Sequence, residues 1–218
     1  MKIKKFYIPF NKIKLTVLAS ETAGSDLPIY LMAHGANGTI KHPFMEEMTK
    51  LLVNKGINVI RFNFPYAEEG KKSPNSETVL LESWDEVLKN IQKKYPNTSI
   101  FIGGKSLGAR MASLFAARNP NIDIKGLVFL GFPLHAPGRL GLGRADHLKK
   151  IGKPMFFIQG TRDALANFDL MKELTTKLKK TSLHSISGAD HSFRVPKNRE
   201  QAMEDGAAAV SNWIRKLV

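Results

Sequence analysis

The chain has 218 residues, of which 43% are hydrophobic and 24% charged, and a formal net charge of +14. That length and balance suit one soluble domain over residues 1–218 with a sizeable core, and exclude a disordered or low-complexity chain. With no cysteine, disulfides, thiolate zinc sites and a cysteine nucleophile are excluded, and nothing requires an oxidising compartment.

The first ten residues are basic, but Asn11, Lys12 and Lys14 interrupt any signal-like apolar core. No stretch reaches the roughly 20 apolar residues that span a bilayer, so a cytoplasmic protein is expected. Lys and Arg are scattered in short runs such as Lys93-Lys94 and Lys149-Lys150, the pattern of a solvated surface. None of these runs carries interleaved aromatics of the RNA-binding kind, and no specific nucleic-acid partner is expected.

Residues 2–9 and 12–19 read as two strands forming an antiparallel hairpin at a sheet edge, with Ile13, Leu15 and Val17 alternating against Lys12, Lys14 and Thr16. Residues 21–26 read as a turn. Pro28 to Ala33 is a continuous apolar run, as expected of an inner strand covered on both faces. Phe44, Met45, Met48, Leu51 and Leu52 recur at helical spacing and stop at Gly56. Residues 57–62 are the next strand, followed by a polar, aromatic-bearing loop over 63–72 suited to bordering a substrate. Leu80, Trp84, Val87, Leu88 and Ile91 mark a second helix, closed by Pro96.

Ser99 to Ile102 then runs into Gly103-Gly104-Lys105-Ser106-Leu107-Gly108, which opens an apolar helical stretch from Met111 to Ala117. Strand, Gly-x-Ser-x-Gly and helix in that order make a nucleophile elbow, with the serine at the tip of a strained turn. So tight a turn brings residues two before and two after the serine close together, which favours glycine at 104 and 108. Ser106 is the candidate nucleophile; its alternative is a simple helix cap, and the choice turns on whether an acid and a base follow.

Strands over 126–130 and 154–158 come next, separated by a loop too short for a folded lid and by a helical turn at His147 and Leu148. The second of these strands leads into Gln159-Gly160-Thr161-Arg162-Asp163, placing a carboxylate at a strand end where it can orient a histidine. Leu174 and Leu178 mark another helix, residues 182–186 another strand. Asp190-His191-Ser192-Phe193 then precedes a last helix bearing Met203, Ala207, Val210, Ile214 and Leu217. His184 reads as a strand residue and His42 as a surface or cap residue, which leaves His191 as the base. Upstream, the loop His34-Gly35-Ala36-Asn37-Gly38 leaves a strand and can supply a backbone N–H for a developing oxyanion. Ala36 would be that donor, with the N–H of Leu107 as its partner; the alternative is that the glycines only turn the chain.

At these residues the sequence resembles the α/β-hydrolase superfamily, in its small capless branch near dienelactone-hydrolase-type enzymes. The resemblance runs from His34-Gly35 to Asp190-His191-Ser192-Phe193. It implies a mainly parallel sheet of seven or eight strands flanked by helices, with the N-terminal antiparallel hairpin and no cap domain. It also implies the roles of nucleophile, acid and base for Ser106, Asp163 and His191. Dienelactone hydrolases use a cysteine nucleophile, which this chain lacks, so their substrate is not carried over.

The expected activity is hydrolysis of a carboxylic ester, thioester or related acyl bond through an acyl-enzyme on Ser106, with no metal or organic cofactor needed. His34, Asn37, Lys105, His135 and Arg139 are placed beside the site as substrate-binding candidates. Lys41, Lys105, Arg139 and Arg144 would favour an anionic small-molecule substrate. The rival expectation is a catalytically silent member of the fold acting as a binding or scaffold module.

Overall fold

The computed structural model describes every residue except 23–26, 137 and 197, so most of the turn expected at 21–26 lies outside the described residues. Two strands, β1 (Lys2–Phe10) and β2 (Ile13–Glu21), form the edge hairpin in antiparallel register. Leu15, Val17 and Ala19 on β2 are buried while the residues between them are less so, which is the alternation of a strand with one covered face.

Inside the hairpin lie β3 (Ile29–Ala33), β4 (Asn58–Phe62), β5 (Ile100–Lys105), β6 (Gly126–Leu130), β7 (Met155–Gly160) and β8 (Thr181–Ile186). The eight-stranded order is β1-β2-β4-β3-β5-β6-β7-β8. All pairings from β4 to β8 are parallel, and β2 joins β4 antiparallel. Every residue of β3, β5, β6 and β7 is buried, because helices cover both faces of the sheet.

On one face α1 (Pro43–Asn54) and α6 (Arg199–Arg215) pack with Phe44, Met48, Met203 and Val210 inward. The other face carries α3 (Glu77–Lys94), α4 (Leu107–Arg118) and α5 (Phe168–Lys177), with Trp84, Met111 and Met171 in the core. A single turn, α2 (Pro65–Glu68), interrupts the expected 63–72 loop, and its Tyr66 and the preceding Phe64 are buried. The helical turn at His147 is a 3₁₀ helix, Gly143–Lys150.

The strand order fixes where a site can form. From β3 the chain steps to β4 on one side and then crosses to β5 on the other. The loops after β3 and β5 therefore part at the carboxyl edge, and the crevice left there is where open α/β sheets bind ligands. The two loops are those of His34–Gly38 and Ser106.

Candidate active site

Ser106 sits between β5 and α4 at φ 52° and ψ −111°, backbone angles that an L-residue adopts only under strain. The glycines beside it are required sterically. A Cβ on Gly104 would come within 2.2 Å of the Ala33 carbonyl oxygen, and one on Gly108 within 2.3 Å of the same atom. The close approach expected at these positions is thus made to the end of β3, where Ala33 meets both glycines first. As a result the Gly35 loop lies against the serine: a Cβ on Gly35 would be 3.6 Å from Ser106 Cβ.

Leu107 is the first helical residue of α4, so its N–H has no acceptor within the helix. Among the described residues neither the Leu107 nor the Ala36 N–H donates a hydrogen bond. The Leu107 N–H directly follows the serine at the positive end of a twelve-residue helix, a setting that favours developing negative charge. Tyr66 holds the loop from behind, its hydroxyl 2.9 Å from the Ala36 oxygen and 3.2 Å from the Gly35 oxygen. Burial pushes that phenol up to about 12, so it remains a donor.

Asp163 and His191 meet at the same edge. His191 Nδ1 donates to Asp163 Oδ2 over 2.7 Å, and the carboxylate side chain is fully enclosed. Its other oxygen accepts the Leu165 N–H at 2.7 Å, and the Gln159 side-chain amide donates to Oδ2. Gln159 in turn accepts the Phe132 N–H at 2.9 Å, so its amide is locked in orientation and holds the acid. His191 rides on a tight turn in which Asp190 Oδ1 accepts the Ser192 and Arg194 N–H groups at 2.8 and 2.9 Å. Its Nε2 is buried and has no hydrogen-bond partner among the described residues. No hydrogen bond joins that nitrogen to Ser106 among the described residues.

The substrate-binding candidates fare unequally. His34 is fully buried, its Nδ1 donating to the Gly35 oxygen at 2.8 Å and its Nε2 accepting the Phe64 N–H at 3.1 Å. Burial drives its pKa down to about 4, and both of its nitrogens are engaged in bracing the loop. His135 is engaged in the same way: its Nδ1 lies 2.9 Å from the Ala136 oxygen and its Nε2 accepts the Asn167 N–H at 2.8 Å. Lys105 is buried, with its amine between the rings of Phe44 and Phe193, so it is no surface contact for a ligand.

Beside Ala36 opens a cavity of about 520 Å³, lined by Asn37, Lys41, His42, Tyr66, Lys71 and Lys72 among others, with no carboxylate in its wall. Of the cations expected near the site only Lys41 lines it. Arg139 and Arg144 are exposed on the following loop and 3₁₀ helix and form no part of this wall. Lys71 and Lys72 take their place, and Lys71 also pairs with Glu69 at 3.0 Å. His42 caps α1, its Nδ1 accepting the Phe44 N–H. Sequence reading missed Tyr66 as a loop brace and Gln159 altogether, although one polar residue closing the apolar run Met155–Ile158 is a signal for a buried partner.

Relatives of known structure share this architecture. Est1E from Butyrivibrio proteoclasticus is 18% identical over 97% of this chain and 99% of its own, with a TM-score of 0.77. An α/β serine hydrolase homologue from Coxiella burnetii is 19% identical over 100% and 99%, at 0.76. The dienelactone hydrolase from Anabaena variabilis is 18% identical over 100% and 98%, at 0.77. An uncharacterized protein of Rickettsia prowazekii is 25% identical over 185 residues, covering 80% of this chain and 76% of its own. The family described as alpha/beta hydrolase domain matches residues 27–218, and the chain belongs to that family.

Proposed function

We propose that the protein is a serine hydrolase acting on a carboxylic ester or thioester through an acyl-enzyme on Ser106. The observation that carries this reading is the unpartnered Nε2 of His191, whose other nitrogen is fixed by the sealed Asp163. A neutral imidazole held in that tautomer has its free nitrogen ready to accept a proton.

Ser106 Oγ attacks the acyl carbon and its proton passes to His191 Nε2. The carbonyl oxygen takes the electron pair and is held by the N–H groups of Ala36 and Leu107. As the tetrahedral adduct collapses, His191 returns the proton to the departing alcohol or thiol and the acyl group stays on Ser106. Water enters, gives its proton to the same nitrogen and attacks the acyl carbon. The second collapse frees the acid and restores Ser106. Loss of one oxyanion donor would cost about 10²–10³-fold in rate.

The substrate is a small molecule with an anionic end. Lys41, Lys71 and Lys72 in a wall free of carboxylates, on a chain of net charge +14, raise the local concentration of anions and orient them toward Ala36. A cysteine-free chain suits work in a reducing compartment such as the cytoplasm.

Labelling by a fluorophosphonate, read by intact mass on wild type and Ser106→Ala, tests the reading. One adduct on wild type, absent from the variant, is expected. No adduct on folded wild type overturns it in favour of a silent binding module. The charge preference is tested by comparing a nitrophenyl hemiglutarate with a neutral nitrophenyl butyrate. Lys41→Ala with Lys72→Ala should reduce kcat/KM for the anionic ester alone, and an equal effect on both rejects the anionic assignment.

A further inference from the structure

Lys105 closes β5 one residue before the serine, a place where a lysine is ordinarily found in solvent. Here it is 7% exposed, and Nζ is buried without a hydrogen-bond acceptor among the described residues. The amine lies 5.5 Å from the centre of the Phe44 ring on α1 and 6.0 Å from that of Phe193, two residues beyond His191. Gly131, just past β6, forms a further wall. A Cβ at 131 would come within 2.8 Å of Nζ, 3.0 Å of the His191 carbonyl oxygen and 3.5 Å of His191 Cε1. The amine and the imidazole therefore share the space that a side chain at 131 would fill, and glycine, at φ 64°, leaves it to them.

An ammonium taken from water with no acceptor is costly unless other charges or ring faces offset the loss. The groups facing this one are few. The loop after β7 contributes Asp163, and the turn at 190–194 contributes Asp190 and the His191 ring; α1 contributes the face of Phe44, and Gly131 only backbone. Burial lowers the amine to about 7 while Asp163 and Asp190 hold it up, so it carries charge on the acid side of neutrality.

Resting on the serine-hydrolase reading, we propose that Lys105 is a positioning residue for the general base. Its charge, set between the nucleophile's strand and the His191 turn, opposes a second positive charge on the imidazole and keeps that ring available as a base at lower pH. Like charges this close disfavour each other, and on the acid limb, below the amine's value of about 7, Lys105 carries its charge as an arginine would.

The test is the fluorophosphonate labelling rate against pH for wild type, Lys105→Met and Lys105→Arg. Methionine keeps the volume and removes the charge; the midpoint of the acid limb should rise by about one unit, with little change in rate at about pH 9. Arginine keeps the charge at every pH. Its limb should stay at the wild-type position, and its rate at about pH 9, where wild-type Lys105 is neutral, should fall several-fold below wild type. Superimposable profiles for wild type and Lys105→Met overturn the proposal. Should the methionine variant fail to fold, equal rates for arginine and wild type at every pH overturn it instead. Absence of labelling in wild type is a different result and rejects the serine-hydrolase reading itself.

Discussion

His191 Nδ1 and Asp163 Oδ2 lie 2.7 Å apart, and the carboxylate between them and Gln159 is closed to solvent. An enclosed acceptor fixes which imidazole nitrogen carries the proton. Asp163→Asn can present an N–H in place of an oxygen and stabilise the wrong tautomer. We expect kcat to fall about 10³–10⁴-fold with KM little changed. Gln159→Leu removes the amide that orients Asp163 and leaves the Phe132 N–H without its acceptor, so both labelling rate and stability should drop, the latter by about 1–3 kcal/mol. Steady-state kinetics on an activated ester and urea midpoints check both.

The angles at Ser106, φ 52° and ψ −111°, store strain that glycine would release. Ser106→Gly and Ser106→Ala both lose the hydroxyl, but only glycine tolerates the backbone. The glycine variant should be the more stable of the two by about 1 kcal/mol, after allowing for the extra freedom it gives the unfolded chain. Gly108→Ala works in the opposite direction, since its Cβ would press on the Ala33 and His34 carbonyls at 2.3 and 2.9 Å. A loss of about 3 kcal/mol or failure to fold is expected. Equal midpoints for the two Ser106 variants would contradict stored strain at the elbow.

Two histidines outside the proposed chemistry should govern acid stability. Burial lowers His34 to about 4, and His147, whose Nε2 lies 2.7 Å from Ser113 Oγ, to about 4 as well, with Arg110 adding to the effect. Between pH 6.5 and about 4 the unfolded chain takes up protons that these folded rings refuse, so stability falls as pH falls through that window and is unaffected by them above it. Urea midpoints at several pH values should show this slope, and His147→Gln should flatten it. A slope unchanged by that substitution assigns the acid sensitivity elsewhere.

What could be read from the sequence divides along physical lines. Runs such as Gly126–Leu130 announce buried strands because every residue must be apolar when both faces are covered. The elbow and the post-strand positions of Asp163 and His191 follow from local patterns in the same way. Helix ends were less legible: α3 starts at Glu77, capped by Ser76, three residues before its apolar stripe, because first-turn residues need not face the core. The bracing bonds of His34 and His135 were not legible because their partners, the N–H groups of Phe64 and Asn167, come from distant segments. Lys105 reads as a substrate-binding cation, and its burial between α1 and the His191 turn depends on segments far from it in sequence.

That burial makes a prediction about stability separate from catalysis. Lys105 falls from 10.5 in the unfolded chain to about 7 in the fold, chiefly through desolvation. Between those values the unfolded chain holds a proton that the folded chain has lost, so stability rises with pH across the window. Below about 7 both states are charged and the full destabilisation, on the order of 5 kcal/mol, is present. Lys105→Met puts an adaptable apolar side chain between Phe44 and Phe193, where sulfur packs well against rings. The variant should therefore unfold at higher urea than wild type at pH 6, and the gap should narrow steadily as pH approaches 10. A gap that stays constant with pH would mean that methionine gains by packing alone and that the amine is neutral, or well solvated, throughout.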